Sequence, residues 1–147
     1  MKMRCILSII ILTTLTQPVW GETSTKTNQI SPVPDIYVGG IGLLCTSQNN
    51  ESEFFLVTRN RKRLGIAKFD SDYITYDKLE IDEKTPNLLV FDSFLSTVRV
   101  YRKSLKAEVR KLSQNSVKYL SCEDSSVINV HNAAEQKLRD LLNGNKI

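Results

Sequence analysis

The highest local concentration of positive charge in the chain is the stretch RNRKR, which contains Arg59, Arg61, Lys62 and Arg63. Guanidinium and ammonium groups clustered in this way attract phosphate, lipid head groups, anionic polymers and acidic proteins. The stretch separates two apolar runs, which predicts a hairpin turn that exposes its side chains. We take these four residues as a candidate basic contact patch. The alternative is a charged turn that only keeps the surface soluble.

A second group of charges lies in the stretch FDSDYITYDKLEIDE. Paired carboxylates can catalyse glycoside hydrolysis or bind calcium. This stretch lacks the glycine and terminal glutamate spacing of a calcium loop, and its charges alternate with apolar residues as on one face of a strand. We predict a solvated strand surface, and we keep a hydrolase built on these acids as a third functional hypothesis. The acids are Asp70, Asp72, Asp77, Glu80, Asp82 and Glu83.

The other residues with catalytic potential are few. The single histidine, His131, lies near the start of a predicted helix, where a surface histidine is the ordinary interpretation. No G-x-S-x-G motif accompanies it, as a serine hydrolase of that type requires. One histidine without a C-x-x-C pair does not make a zinc site. We therefore predict no catalytic residues, no metal and no cofactor, and a protein that is not an enzyme.

The N-terminus has the pattern of an export signal. Lys2 and Arg4 precede a mostly apolar, uncharged run over Cys5–Thr16, and Gly21 is a suitable residue for cleavage. We predict a signal peptide over residues 1–21 and an exported product, periplasmic or secreted. The alternative is an uncleaved anchor, but the run is shorter than the roughly 17 to 25 apolar residues of a spanning helix. After cleavage no transmembrane segment is predicted.

Cleavage also changes the charge balance. The whole chain carries a formal charge of +4, and the loss of Lys2 and Arg4 lowers the excess to +2. A small excess of this kind supports solubility and weak attraction to polyanions. It does not indicate a nucleic-acid surface, so we predict no nucleic-acid partner.

Two cysteines remain in the predicted product, Cys45 and Cys122. An even pair in an exported chain indicates a disulfide, because the destination is oxidising. The alternative, two buried free thiols, is commoner in proteins of the cytosol. The bond would close most of the product into one loop.

The rest of the chain predicts one β domain over residues 35–147, after a flexible polar leader over residues 22–34. About eight short apolar runs with turn residues between them read as strands. The stretch Val98–Leu112 fits either a basic helix or two strands with a corner at Lys103–Ser104. Its β-branched first half and its position among strands favour the two strands.

A helix is predicted at the C-terminus. Its most regular part runs from Ala133 to Leu142, within a segment of about 129–143, and its apolar stripe would pack on the outside of the sheet. Asn132 and Glu135 have the spacing of a capping box, and Gly144 follows the last apolar residue as a C-cap would.

The fold class predicted is mainly β: a small single-domain antiparallel β-barrel of about eight strands with one C-terminal α-helix. A two-sheet sandwich is the competing architecture. Cys45 is expected at the end of the first strand and Cys122 at the end of the last. A disulfide between first and last strands favours closure into a barrel, which also removes exposed sheet edges.

Export, a disulfide from first to last strand and a trailing helix together resemble lipocalin-like carriers. Those proteins carry a G-x-W near the first strand, whereas YVGGIGLL has no tryptophan. Small periplasmic lysozyme inhibitors are similar in being exported β-barrels, but their S-G-x-x-Y-type loop is not in this chain. Neither resemblance includes a specific motif, so no site residue is assigned from either.

The functional expectation is an exported, non-enzymatic binding protein that acts on a macromolecule as an inhibitor or an envelope-associated factor. The partner would be a protein or an anionic envelope polymer. The alternative is a carrier that encloses a small apolar ligand in the barrel. Asn50-Glu51-Ser52 is a glycosylation sequon, which matters only in a eukaryotic source.

Overall fold

The computed structural model describes residues 31–144 of the chain. The predicted signal peptide and residues 22–30 of the predicted leader lie outside the described residues, as do residues 145–147 at the end of the predicted domain. The predicted export and cleavage therefore stay predictions.

The described residues form a closed antiparallel barrel of eight strands with one C-terminal helix. Each strand pairs with the next along the chain, and the last pairs with the first. The barrel, and not the sandwich, is therefore the architecture. The strands are β1 Ile41–Ser47, β2 Ser52–Val57, β3 Arg63–Phe69, β4 Ile74–Lys84, β5 Leu88–Asp92, β6 Ser96–Tyr101, β7 Lys106–Lys111 and β8 Ser116–Ser125. The helix α1 spans Val127–Gly144.

The disulfide joins the two strands that close the barrel. Cys45 of β1 and Cys122 of β8 are direct partners in the strand register, and their sulfur atoms are 2.04 Å apart. The predicted pairing is thus present. Both cysteines lie within their strands and not at the strand ends, because β1 and β8 run on past them to Ser47 and Ser125.

The barrel interior is filled by apolar side chains. Alternate residues of each strand point inward, which is the period that a pleated strand imposes. In β1, for example, Leu43 and Cys45 are buried while Thr46 is exposed. Fourteen buried residues from all eight strands form this inner cluster.

The ambiguous stretch Val98–Leu112 forms strands, as the sequence favoured. It contributes the end of β6 and all of β7, joined by a turn over residues 102–105. Val98, Val100, Ala107 and Val109 are buried in the barrel. Closure of the barrel explains the outcome, because a helix here would leave β5 and β8 each with one unpaired edge.

The helix begins earlier than the sequence predicted. It starts at Val127, whereas the expected segment began at about residue 129 and its regular part at Ala133. The Ser126 hydroxyl accepts a hydrogen bond from the Asn129 amide at 3.1 Å, so Ser126 caps the helix. The predicted capping box from Asn132 to Glu135 is wrong, because both residues lie inside the helix.

The helix packs across the outside of the barrel on β1, β2 and β4, as predicted. It covers a second apolar cluster that includes Phe54, Leu56, Val130 and Ala134. The approach is closest at Gly42, where a Cβ atom would lie 2.6 Å from Cγ2 of Val130.

The apolar stretch that begins at Asp35 forms two elements, a 3₁₀ turn and the strand β1. Asp35–Tyr37 form one 3₁₀ turn, in which the Tyr37 amide donates to the Pro34 carbonyl at 3.0 Å. Gly39 follows with a φ of 73°, a conformation that glycine adopts without strain. The chain therefore bends here before β1, and Tyr37 is placed beneath the helix.

Candidate functional site

The basic contact patch lies on a hydrogen-bonded turn between β2 and β3. Thr58, which is buried, directs the turn: its hydroxyl donates to Asn60 Oδ1 at 2.8 Å. The same hydroxyl accepts the amides of Lys62 and Arg63 at 3.2 and 3.1 Å. The Arg61 amide donates to the Thr58 carbonyl at 2.8 Å. The backbone of the turn is therefore fixed by its own polar groups.

The four cations of the patch are not equivalent. Arg59 and Lys62 are exposed, whereas Arg61 is half-buried and has a φ of 57°. Arg63 begins β3 and its Nε lies 2.7 Å from Oε1 of Glu80 on β4. Arg59 and Lys62 are thus the two members best placed to reach an anionic partner.

An open cavity of about 720 Å³ lies against this turn on the outside of the barrel. Its walls combine cations, one carboxylate, two polar side chains and one apolar side chain. That mixture suits a partner with anionic groups beside a small apolar surface. The lining residues are Ile36, Thr58, Arg59, Asn60, Lys62, Arg63 and Glu80.

Charge is divided between the two rims of the barrel. The turns at the rim of the basic patch carry only basic charges: Arg59, Arg61, Lys62, Arg102 and Lys103, from residues 58–62, 85–87 and 102–105. The turns at the opposite rim carry only acidic charges: Glu51, Asp70 and Asp72, from residues 48–51, 70–73, 93–95 and 112–115. Acids near the strand ends at the rim of the basic patch, among them Asp82, Glu83 and Asp124, offset these cations, so the positive charge is local to the turns.

The acidic stretch does not form one site. Asp70 and Asp72 lie in the turn before β4, and Asp82 and Glu83 lie near its other end. Asp77 forms an ion pair with Lys68 on the neighbouring strand. Because β4 is 11 residues long, the two ends are far apart, and the acids are spread along the outside of the barrel.

A buried polar cluster lies beneath the helix, and the sequence analysis did not predict it. The Tyr76 hydroxyl and His131 Nδ1 are 2.7 Å apart, and His131 Nε2 is 2.6 Å from the Ser31 carbonyl oxygen. Oε1 of Glu135, one helical turn later, is 3.8 Å from His131 Nε2. The rings of Tyr37 and Tyr76 lie 5.8 Å apart beside them.

The interpretation of His131 as a surface residue is wrong, since its side chain is buried. The Ser31 carbonyl oxygen only accepts hydrogen bonds, so Nε2 donates to it. With the ring proton on Nε2, Nδ1 accepts a hydrogen bond from the Tyr76 hydroxyl. His131 thereby ties the segment before the barrel to the helix and to β4.

Burial controls the acidity of both tyrosines in this cluster. Removal from water raises the pKa of Tyr37 to about 12. Burial also raises the pKa of Tyr76, with a smaller contribution from the Glu135 carboxylate. Among residues 31–144 the Tyr37 hydroxyl and Oε1 of Glu135 have no hydrogen-bond partner.

The sequence of the helix contains the pattern that could have predicted this cluster, but the helix start was assigned to the wrong residue. Val127, Val130, His131, Ala134, Glu135 and Leu138 are its buried residues, which is one continuous helical stripe. Placing the start of the regular helix at Ala133 left His131 in front of it and made Glu135 part of a capping box. Recognition of Ser126 as the N-cap would have placed both side chains on the buried face.

Metal-binding groups and membrane-spanning helices are both absent from the described residues. Within residues 31–144 no three His, Cys, Asp or Glu side chains are grouped so that they could hold a metal ion. In the same part of the chain no helix has the length and apolar character needed to cross a membrane.

Comparison with known proteins adds no relative to these findings. No protein-family model matches the chain, and no curated protein and no solved structure shows significant similarity to it.

Proposed function

We propose that this chain is an exported, non-enzymatic β-barrel that binds a macromolecular partner through its basic turn. The partner presents clustered carboxylates or phosphates, as an acidic protein or an anionic envelope polymer does. Binding would make the protein an inhibitor or an envelope-associated factor. The disulfide is compatible with export.

The observation that carries the proposal is the fixed geometry of the turn around Thr58. Arg59 and Lys62 project from a backbone already held by hydrogen bonds at 2.8–3.2 Å. A surface ordered before binding loses less conformational entropy when the partner arrives.

The alternative function, a carrier of a small apolar ligand, needs an enclosed space of roughly 300 Å³ or more. The fourteen buried residues of the inner cluster occupy the barrel interior. The cavity of about 720 Å³ lies outside, at the basic turn, and is lined mainly by polar side chains. Both features favour the binding protein over the carrier.

The test replaces the two exposed cations of the turn. The double variant Arg59→Gln/Lys62→Gln is compared with wild type in capture from an extracytoplasmic extract of the producing organism. We expect capture of the partner to fall about tenfold or more, because two charged contacts are lost. The matched control is Lys78→Gln/Lys137→Gln, which removes the same charge at exposed positions of β4 and α1.

Circular dichroism and urea unfolding establish that both variants keep the fold. Equal losses in the two variants would attribute binding to net charge alone and would contradict the proposal. Undiminished capture by Arg59→Gln/Lys62→Gln would remove the basic turn from the function.

A further inference from the structure

The rim opposite the basic turn carries three exposed apolar side chains, Phe94, Leu95 and Leu112, which we call the apolar tip. Phe94 is 93% exposed, Leu95 is 59% exposed and Leu112 is 58% exposed. Phe94 and Leu95 belong to the turn between β5 and β6, and Leu112 begins the turn between β7 and β8. The Leu112 amide donates to the Leu95 carbonyl at 3.0 Å, which holds the two turns side by side.

The apolar tip is built on an ordered turn. The Ser93 amide donates to the Ser96 carbonyl at 2.9 Å. The Ser93 hydroxyl accepts the amides of Leu95 and Ser96 at 3.3 and 3.1 Å. The backbone therefore fixes Phe94 at the apex of a convex projection, where its ring meets water on almost every side. Apolar surface held out in this way indicates a partner that removes it from water.

Two cations precede the apolar tip on β7. Arg110 and Lys111 are exposed at the end of β7, immediately before Leu112. An apolar projection with cations at its base matches an anionic lipid surface, which places phosphates above acyl chains.

Two acids lie on the same side of the barrel as the apolar tip: Asp92, which ends β5 and is half-buried, and Glu51, which is paired with Lys118 of β8. Asp70 and Asp72 lie on the β3–β4 turn of the same rim, so contact would come through the β5–β8 side of the barrel.

The size of the apolar tip also selects a lipid surface over a protein. An aromatic side chain buries roughly 150–250 Å², so one phenylalanine and two half-exposed leucines offer only a few hundred Å². A stable interface with a second copy or another folded protein buries about 1,200–2,000 Å². A convex apex fits poorly against a rigid surface, whereas acyl chains deform around it.

We propose that the apolar tip inserts into an anionic lipid surface, with Arg110 and Lys111 on the lipid phosphates. The basic turn at the opposite rim is then directed away from the lipid, toward a partner in solution. This lipid site is independent of the proposed partner binding, since the two surfaces share no residue.

The test measures how the protein, in the processed form recovered from the producing cell, partitions onto lipid vesicles. Vesicles of phosphatidylcholine with phosphatidylglycerol are compared with vesicles of phosphatidylcholine alone. We expect wild type to prefer the anionic vesicles, and Phe94→Ser/Leu95→Ser to lower that partition about tenfold or more. Ile128→Ser, at a 62% exposed position of the helix, is the matched control and leaves partition unchanged.

Tryptophan fluorescence measures whether the apolar tip enters the acyl chains of the lipid. Phe94→Trp is expected to shift its emission to shorter wavelength on anionic vesicles and to be quenched by brominated lipids, whereas Ile128→Trp is not. Partition that survives Phe94→Ser/Leu95→Ser would overturn the proposal. So would partition lost in Arg59→Gln/Lys62→Gln alone, which would assign lipid binding to the basic turn. If the protein is a dimer in solution and Phe94→Ser/Leu95→Ser dissociates it, a second copy and not a lipid surface covers the apolar tip, and the proposal is wrong.

Discussion

Tyr37 is a completely buried residue whose hydroxyl lacks a hydrogen-bond partner among residues 31–144. Its ring packs beside Tyr76 and crosses β3 at Gly65, where a side chain would overlap the hydroxyl. The apolar contacts of the ring stabilise the helix side of the barrel, while its hydroxyl must stay protonated to be tolerated there. Titration of Tyr37 should therefore make the free energy of unfolding change with pH in the alkaline range.

The sign of that dependence follows from the raised pKa of about 12 in the folded protein, against about 10 in an unfolded chain. Below pH 10 both states are protonated and the stabilisation is complete. Between pH 10 and pH 12 the unfolded state loses its proton first, so stability falls as pH rises. We expect the wild type to lose about 1 kcal/mol more than Tyr37→Phe between pH 9 and pH 11.

Urea unfolding of the two proteins at several pH values measures this difference. The comparison with Tyr37→Phe cancels the other tyrosines and the lysines, which titrate in both proteins. A difference in unfolding free energy that stays constant from pH 9 to pH 11 would contradict the assigned burial.

At the scale of the elements, the contact between α1 and β1 is set by one residue without a side chain. A Cβ atom at Gly42 would lie 2.7 Å from the Ser126 carbonyl oxygen and 2.6 Å from Cγ2 of Val130. The first of these is backbone at the helix cap, which cannot move without displacing the first turn of the helix. Gly42 thus fixes how closely the helix approaches the barrel.

Gly42→Ala is expected to destabilise the protein by about 1–3 kcal/mol, because the added methyl group overpacks this contact. Gly144→Ala is the matched control, since nothing lies within 4 Å of the position its Cβ would take. Urea unfolding at neutral pH measures both. Equal stability of the two variants would mean that the helix does not approach β1 as closely as described.

Sequence patterns sufficed for the strands because each strand alternates buried and exposed residues or follows a clear turn. The 3₁₀ turn before β1 was harder to predict, because Pro34 and Gly39 act on the backbone conformation and do not change the spacing of apolar residues. The helix start was misplaced because Asn132 and Glu135 have the spacing of a capping box. The actual cap is Ser126, whose hydroxyl accepts the Asn129 amide.

The candidate site was only partly accessible from sequence. RNRKR indicated a basic turn, and the turn exists, but the division between exposed Arg59 and Lys62 and paired Arg63 depends on Glu80 from a neighbouring strand. The contact of His131 with Ser31 joins residues 100 positions apart. The apolar tip joins two turns through one backbone hydrogen bond. No local pattern encodes such long-range contacts.

For the whole molecule, the order of the strands and the closure of the barrel fix the positions of these surfaces. The basic turn and the apolar tip lie at opposite rims because successive turns alternate between the two ends of the meander. Pairing of β1 with β8 along six register positions closes that meander into a barrel. Cys45 and Cys122, 77 residues apart in the chain, link these two strands covalently. On the chain-entropy model a loop of that length contributes about 4 kcal/mol, a large share of the roughly 5–15 kcal/mol that a domain of this size has.

The most direct measurement of this central claim is urea unfolding, with and without reductant, of protein recovered from the extracytoplasmic fraction. Thiols are counted in the unfolded, unreduced sample. We expect Cys45 and Cys122 to be unreactive before reduction, and reduction to lower the unfolding free energy by about 4 kcal/mol. Reactive thiols at both positions, with unfolding curves that coincide, would contradict the covalently closed barrel.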